Sequence, residues 1–426
     1  MIPEHWEERF LEQVCSEKCM KNIGNKESNV LSLSYGYIVK KRNVYSGLVA
    51  KDFSTYQVVN EGDIILRFTD LQNDHRSLRT GLVTQTGIIT SAYTCIRPSI
   101  NSAYLHYLLH AYDLIKVFYG MGGGVRQSIS YKDVRHMFVP VPPREEQDQI
   151  VRFLDWKVSE MNRLIHIRKR QIEKLEELKK AVVSQAVTKG LNPTALLKKS
   201  DIPGVSLVCL SYKIMPLKHA FIILDKYRKP VSADKRNQNT DILYDYYGAS
   251  GIIDKIDGYT IDDDVLLIGE DGANLRMRNL PLVYQVHGKA WINNHAHILK
   301  PKEITSYYFA YYMLESLDIN LYITGAAQPK FTQEALSNLR VIVPPIEEQD
   351  QIVTYLDDQT AKINTAIENK HQQMKTLQEF KTRLISDVVT GKIDVRGIEI
   401  PEYERTADVI EDEIMEEELD KGADEE

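Results

Sequence analysis

Cysteine is scarce in this chain. Four residues in 426, Cys15, Cys19, Cys95 and Cys209, are too few and too irregularly spaced for a disulfide scaffold or an all-cysteine zinc site. No run of 18 apolar residues exists, which argues against a membrane-spanning helix. The opening Met-Ile-Pro-Glu-His-Trp is acidic and carries no apolar signal core, so a cytoplasmic protein is expected. Catalytic motifs are missing as well. There is no Gly-x-x-x-x-Gly-Lys-Ser/Thr phosphate loop and no Gly-x-Gly-x-x-Gly cradle after a strand. A base in duplex DNA must be extruded before it is methylated. No Asn-Pro-Pro-aromatic or Asp-Pro-Pro-aromatic segment is present to hold such a base, and Pro-Pro at 142–143 and 344–345 follows valine instead. The acidic residues near Glu270-Asp271-Gly272 make no convincing nuclease cluster. His287, His295 and His297 lack a cysteine or carboxylate set to complete a metal site, and His295-Ala296-His297 suits one face of a strand. The chain is therefore expected to hold no metal or cofactor and to be no enzyme by itself.

What is present is a repetition. Val141-Pro142-Pro143-Arg144-Glu145-Glu146-Gln147-Asp148-Gln149-Ile150-Val151-Arg152-Phe153-Leu154-Asp155 returns at 343–357 with three changes, an offset of 202 residues. Each copy opens a long amphipathic segment, and each follows a dissimilar block of about 140 residues. At this length, with 43% hydrophobic residues, the chain can bury more than one core.

The two long segments share a seam with alternating steps of four and three residues, the 3.5-residue period of a coiled coil. The first carries Leu154, Met161, Ile165, Ile172, Leu175 and Val182. The second carries Leu356, Ile363, Ile367, Met374, Leu377 and Leu384 at matching stations. Leu178 and Phe380, one place off, are expected to widen it. Basic residues interrupt both seams at equivalent stations, Arg168 with Lys370 and Lys179 with Lys381. Pro143 and Pro345 suit the first helical turn, Glu145–Glu146 and Glu347–Glu348 suit the positive helix end, and Gly190 and Gly391 mark the exits. Helices of roughly 45 residues, about 68 Å long, cannot bury a stripe against themselves. Antiparallel pairing with each other is expected, the alternatives being packing on their own domains or a seam between two chains.

The blocks before each helix, 1–140 and 201–342, share an internal order. Asn60-Glu61-Gly62-Asp63-Ile64-Ile65-Leu66 is answered by Asp262-Asp263-Asp264-Val265-Leu266-Leu267-Ile268, a turn feeding a buried strand. A short helix follows in each, over 103–117 and 306–317, and then a small-residue stretch at 120–127 and 325–330. Each block reads as an α+β domain whose loops carry the cations. In the first these are Lys40, Lys41, Arg42, Arg76, Arg79 and Arg126. In the second they are Lys229, Arg236, Arg276, Arg278 and Lys330. Arginine and lysine on such loops hold phosphates and read base edges in a major groove, though any single cluster is equally well a solvated surface.

The formal charge of -7 hides this basic character. Residues 399–426 hold 14 acidic and 2 basic side chains, a net of -12, which leaves the rest at +5. After about Tyr403 the acidic tail reads as disordered or as a loosely held helix.

Taken together the chain resembles the specificity subunit of a type I restriction–modification system, the HsdS family. The resemblance covers nearly the whole chain. It is carried by Pro142-Pro143-Arg144-Glu145-Glu146-Gln147 and Pro344-Pro345-Ile346-Glu347-Glu348-Gln349, each leading into a long helix, and by Gly325-Ala326-Ala327-Gln328-Pro329-Lys330. The first block departs from the last pattern, with Gly122-Gly123-Gly124-Val125-Arg126-Gln127-Ser128. The resemblance implies an α+β fold with target recognition domains at 1–140 and 201–342. Between and after them come spacer helices at 141–200 and 343–398, forming an antiparallel coiled coil, and then the tail. It implies that each domain reads half of a bipartite duplex target, and that the helices set the gap and dock two adenine-N6 methylation subunits. Restriction subunits join these, in a host-defence complex whose S-adenosylmethionine, ATP and Mg2+ belong to the partners. Three alternatives remain: the specificity subunit of a type II methyltransferase–nuclease, a protein–protein scaffold that binds no DNA, and a stand-alone methyltransferase or nuclease with degenerate motifs. Inserting one helical turn, about four residues, into each long helix should change the preferred gap and leave both half-sites intact, as read by sequencing of modified adenines.

Overall fold

The computed structural model describes residues 2–41, 52–69, 78–121, 129–232, 236, 243–326 and 328–408. The chain forms two compact units, one built from the residues up to 171 together with those from 369 onward, the other from 172–368. Each unit is thus one of the dissimilar blocks plus half of each long helix.

Both units are built on the same antiparallel four-stranded sheet. In the first unit the order across the sheet is Cys15–Lys18, Thr94–Pro98, Ile64–Leu66 and Thr80–Leu82. In the second it is Phe221–Ile223, Ala296–Pro301, Val265–Gly269 and Val283–Val286. Ile64–Leu66 and Val265–Gly269, one central strand of each sheet, are buried throughout and are the runs read as buried from sequence. A helix packs on each sheet: Ser102–Leu114 buries Tyr104, Leu105, Leu108 and Leu109, and Tyr307–Ser316 buries Phe309, Ala310, Met313 and Leu314. The second unit adds a mixed sheet containing Tyr244–Gly248, Gly251–Ile256, Lys289–Ile292 and Ile261–Asp262.

The long helices run over Arg144–Lys189 and Ile346–Val389. Neither contains glycine or proline, so nothing interrupts the backbone ladder. Pro143 and Pro345 stand immediately before them; Pro143 O accepts from Glu146 N and Gln147 N, both at 3.0 Å. Gly190 and Gly391 end them at φ of +76° and +75°, a left-handed stop that favours glycine.

Within each unit the helix halves pair with opposite directions. In the first, Leu154, Met161 and Ile165 are buried along with Leu384, and Met374 and Leu377 are half-buried. In the second, Ile172, Leu356 and Ile363 are buried, and Leu175, Val182 and Ile367 are half-buried. The basic interruptions have a use. Lys381 Nζ donates to Asn162 Oδ1 at 3.2 Å in one unit, and Lys179 Nζ donates to Asn364 Oδ1 at 2.9 Å in the other. Lys179 and Lys381 are 202 residues apart, as are Asn162 and Asn364, so one cross-helix contact is made twice. Two expectations fail here. Leu178 and Phe380 are exposed, at 49% and 55%: each stands one step before a seam station and joins no domain core, whereas Val183 and Ile385, one step after a station, pack into the cores of their units. The tail is ordered over its first part. Thr406 N donates to Ser159 Oγ (2.7 Å), Ser159 Oγ to Glu404 O (2.9 Å) and Asn162 Nδ2 to Thr406 O (3.1 Å), while Asp408 pairs with Lys381. Residues 409–426 lie outside the described set.

The repeated motif explains itself through one buried glutamine. Gln147 Oε1 accepts from Asn101 N (2.9 Å) and its Nε2 donates to Pro142 O (2.8 Å). Gln349 Oε1 accepts from Ser306 N (2.7 Å), and its Nε2 donates to Pro344 O and Ile304 O, both at 2.9 Å. Asn101 and Ser306 are the N-caps of the two sheet-packing helices. One amide therefore ties the long helix, the strand before it and the domain helix together. Replacing Gln349 by Ala strands buried polar groups, at a cost of about 1–3 kcal/mol. Amide hydrogen exchange at the start of helix 307–316 should accelerate while that at 102–114 is unchanged, and Gln147→Ala should do the reverse.

Candidate nucleic-acid interface

The second unit gathers four loops around one carboxylate. Glu270 follows the central strand Val265–Gly269. Its Oε2 is paired with Arg228 Nη1, and its Oε1 lies 3.2 Å from Lys330 Nζ. Arg228, mostly buried, also reaches Asp225 Oδ2 (3.3 Å) and donates to Asn294 O (3.2 Å). His297 completes the knot: its ring nitrogens lie 2.6 Å from Asp225 Oδ2 and 2.8 Å from Phe331 O. Burial pushes the Glu270 carboxyl up, but Arg228, His297 and Lys330 outweigh it and hold it below the ordinary carboxylate range. Backbone contacts seal the same place. Phe331 N donates to Glu270 O (2.7 Å), Gly272 N to Pro329 O (3.2 Å) and Glu270 N to His295 O (2.8 Å).

Around this knot Lys229, Arg276 and Lys330 are exposed. Lys229 is fixed by its backbone, with N bonded to Ile292 O (2.8 Å) and O accepting from Trp291 Nε1 (2.7 Å). Arg276 lies on the short helix Asn274–Met277, its guanidinium 3.4 Å from Gly325 O. Of the five expected cations of this block, Lys330 pairs with Glu270, Lys229 follows Arg228 on its loop, and Arg276 reaches the backbone of the loop that leads to Lys330. The other two are engaged elsewhere. Arg236 lies over the Tyr246 ring and near Asp254, and Arg278 donates to Glu315 O at 2.6 Å.

In the first unit Lys40 ends the strand Tyr37–Lys40 with its side chain exposed, and Lys41 is half-buried with its N bonded to Val30 O (2.9 Å). Arg42, Arg76 and Arg126 fall outside the described residues. Arg79 contradicts its expected role. It is completely buried, with Nη1 donating to Thr69 O (2.6 Å) and Nε to Tyr119 Oη (3.2 Å). Its backbone N donates to Asp113. A buried guanidinium spent on such partners is structural, because moving it to a ligand would strand all of them.

Sequence reasoning missed the carboxylates that hold these loops. Asp113 accepts from Arg79 N in one unit, and Glu315 accepts from Leu282 N (2.9 Å) and Val283 N (2.8 Å) in the other. They are 202 residues apart, the repeat offset, which is the signal that would have found them. His295 and His297, expected on one strand face, separate: His297 is buried, and His295 is half-exposed against Asp271 at 2.7 Å. Among the described residues no group of three or more His, Cys, Asp or Glu is placed to hold a metal ion, and no helix is long and apolar enough to cross a membrane.

Comparison with known proteins bears directly on this arrangement. The family model described as type I restriction modification DNA specificity domain matches residues 3–176 and 212–375. The chain belongs to this specificity family. The two matched stretches take in both sheets, both domain helices and most of each long helix, so the family pattern is itself present twice. Among curated relatives, a putative type I restriction enzyme MjaX specificity subunit of Methanocaldococcus jannaschii is 24% identical over 421 residues, covering 93% of this chain and 95% of that one. A putative specificity subunit, S.HindORF215P of Haemophilus influenzae, is 34% identical over 146 residues, covering 34% of this chain and 37% of its own length. A solved chain, from work on complex assembly and conformational transition of the type I R-M system, superposes with a TM-score of 0.69. It has 15% identity and covers 92% of this chain and all of that one, which shows the shared fold. For this specificity chain, Arg79→Ala should lower the thermal midpoint by several degrees, in line with about 2 kcal/mol or more for a broken buried network. Arg276→Ala, by contrast, should leave the midpoint unchanged.

Proposed function

We propose that this chain, a DNA-recognition subunit of a type I restriction–modification system, reads a bipartite duplex target with one half-site per unit. Methylation, translocation and cleavage belong on this reading to partner subunits that hold S-adenosylmethionine, ATP and Mg2+. One observation supports it above the others. The same sheet order and the same glutamine tie occur twice, yet the loops at matching positions carry different side chains. A frame that is kept while its loops differ is suited to reading two unlike sequences. Lys229, Arg276 and Lys330 supply donors for phosphates and base edges in the second unit, as Lys40 and Lys41 do in the first. Each mismatched base pair typically costs about 1–3 kcal/mol, so two half-sites add their discrimination.

The long helices are the surfaces proposed to dock the methylation subunits, each presenting solvent-facing apolar side chains such as Leu178 and Phe380. DNA titration of the assembled methylation complex at several salt concentrations tests the reading. The logarithm of the affinity should fall linearly with the logarithm of salt, with a slope of about 0.9 per phosphate contacted. One modified sequence with a non-read gap should be preferred. No duplex binding even at low salt would contradict it. The purified chain alone, given S-adenosylmethionine and DNA, should transfer no methyl group.

A further inference from the structure

Among the described residues the charged knot around Glu270 occurs in one unit only. Sheet register fixes the equivalences: Ile268 faces His297 in the second unit as Leu66 faces Thr94 in the first. By the same register Asp225 corresponds to Cys19. Phe331 N donates to Glu270 O just as Ile129 N donates to Phe68 O. Where the second unit has Glu270, the first has Phe68, buried against Phe118 at a ring separation of 5.4 Å. The shared sheet is therefore also built with an aromatic side chain at this station, and with Thr94 and Cys19 where the second unit has His297 and Asp225. The carboxylate is not a requirement of the fold.

What the carboxylate does is hold cations still. Lys330 sits on a backbone clamped from both sides, with Lys330 N bonded to Thr324 O (2.8 Å) and Thr324 N to Lys330 O (2.9 Å). Only its flexible side chain is left to fix, and Glu270 Oε1 fixes it at 3.2 Å while the ammonium stays half-exposed. Glu270 also holds Arg228, whose neighbour Lys229 projects from the same loop.

We propose that Glu270 is a positioning residue for half-site discrimination by the second unit, aiming Lys330 directly and Lys229 through Arg228. This deepens the DNA-recognition reading and rests on it. A negative charge beside a phosphate-binding surface lowers affinity for every duplex alike. Its compensating effect is to restrict the lysine to one direction, which favours the one sequence that meets it there. Glu270 thereby exchanges general affinity for selectivity.

The two effects have opposite signs, and that separates positioning from a merely structural role. In the assembled methylation complex, Glu270→Gln should bind non-target duplex a few-fold more tightly, because one negative charge is gone. Its preference for the target over a duplex altered in the second unit's half-site should fall about tenfold, the size of one lost base-pair discrimination. Preference at the other half-site should not change, which reports in the same sample that the complex is intact. Lys330→Gln leaves the Arg228–Glu270 pair in place and serves if the first variant is poorly folded. It should lose the same half-site preference while weakening non-target binding. Unchanged preference at this half-site in both variants would overturn the proposal, as would an equal loss of target and non-target affinity in Glu270→Gln. A wild-type complex that binds all duplexes equally would overturn the recognition reading itself, an outcome distinct from a discriminating wild type whose variants discriminate as well.

Discussion

A buried glutamine amide is the constraint on which both units depend. Gln147 and Gln349 sit at the fourth residue of their long helices, where the backbone N–H groups of the first turn point outward and the side chain faces the domain. Each satisfies the first free N–H of the domain helix and the carbonyl of the proline pair in the same stroke. A neighbouring carboxylate adds a second tie. Tyr107 Oη donates to Asp155 and Tyr312 Oη to Asp357, both at 2.7 Å. Because Gln147 and Gln349 are nearly solvent-free, their bonds cannot be exchanged for water. The domain helix, and the sheet it covers, therefore take their orientation from the long helix.

That dependence explains which parts of the chain repeat. Residues that make the joint recur with an offset of 202: the Pro-Pro pair, the Glu-Glu-Gln run and Asp155 with Asp357. Residues that fill the loops do not. A specificity protein built this way can change its reading surface without disturbing the joint, since Gln349 bonds to Ile304 and Ser306 beyond one end of the strand Ala296–Pro301 while Glu270 meets His295 at the other. The Glu270 station shows the separation at one residue: an ion hub in one unit and a buried phenylalanine in the other, on equivalent strands.

Much of this was legible in the sequence, for physical reasons. A 3.5-residue seam and a repeated proline–glutamate start survive as patterns because helix periodicity is local, and the four buried strand residues at 265–268 announce themselves by hydrophobicity. Of the seam residues, Leu175, Val182, Ile367, Met374 and Leu377 are half-buried and the others buried, and the reading overreached at Leu178 and Phe380, where the sequence cannot tell a wider stripe from an exposed apolar side chain. Charge was the least legible property. Arg79 and Arg76 look alike in a basic loop, and only the distant Thr69, Asp113 and Tyr119 decide that Arg79 is structural. His297 was expected to share a strand face with His295 and is instead a buried link between Asp225 and Phe331 O, which no spacing rule encodes. The tail's composition suggested disorder, and the hydrogen bonds of Glu404 and Thr406 with Ser159 and Asn162 arise from tertiary proximity alone.

The central claim is that one preserved joint carries two independent readers. Its most direct test is sequencing of modified adenines in cells whose chain has residues 1–140 replaced by the corresponding block of another family member, with the joint at 141–155 left intact. One half of the modified sequence should change to that of the donor while the other half stays as it was. A change in both halves, or a modified sequence with no gap between its halves, would contradict the account.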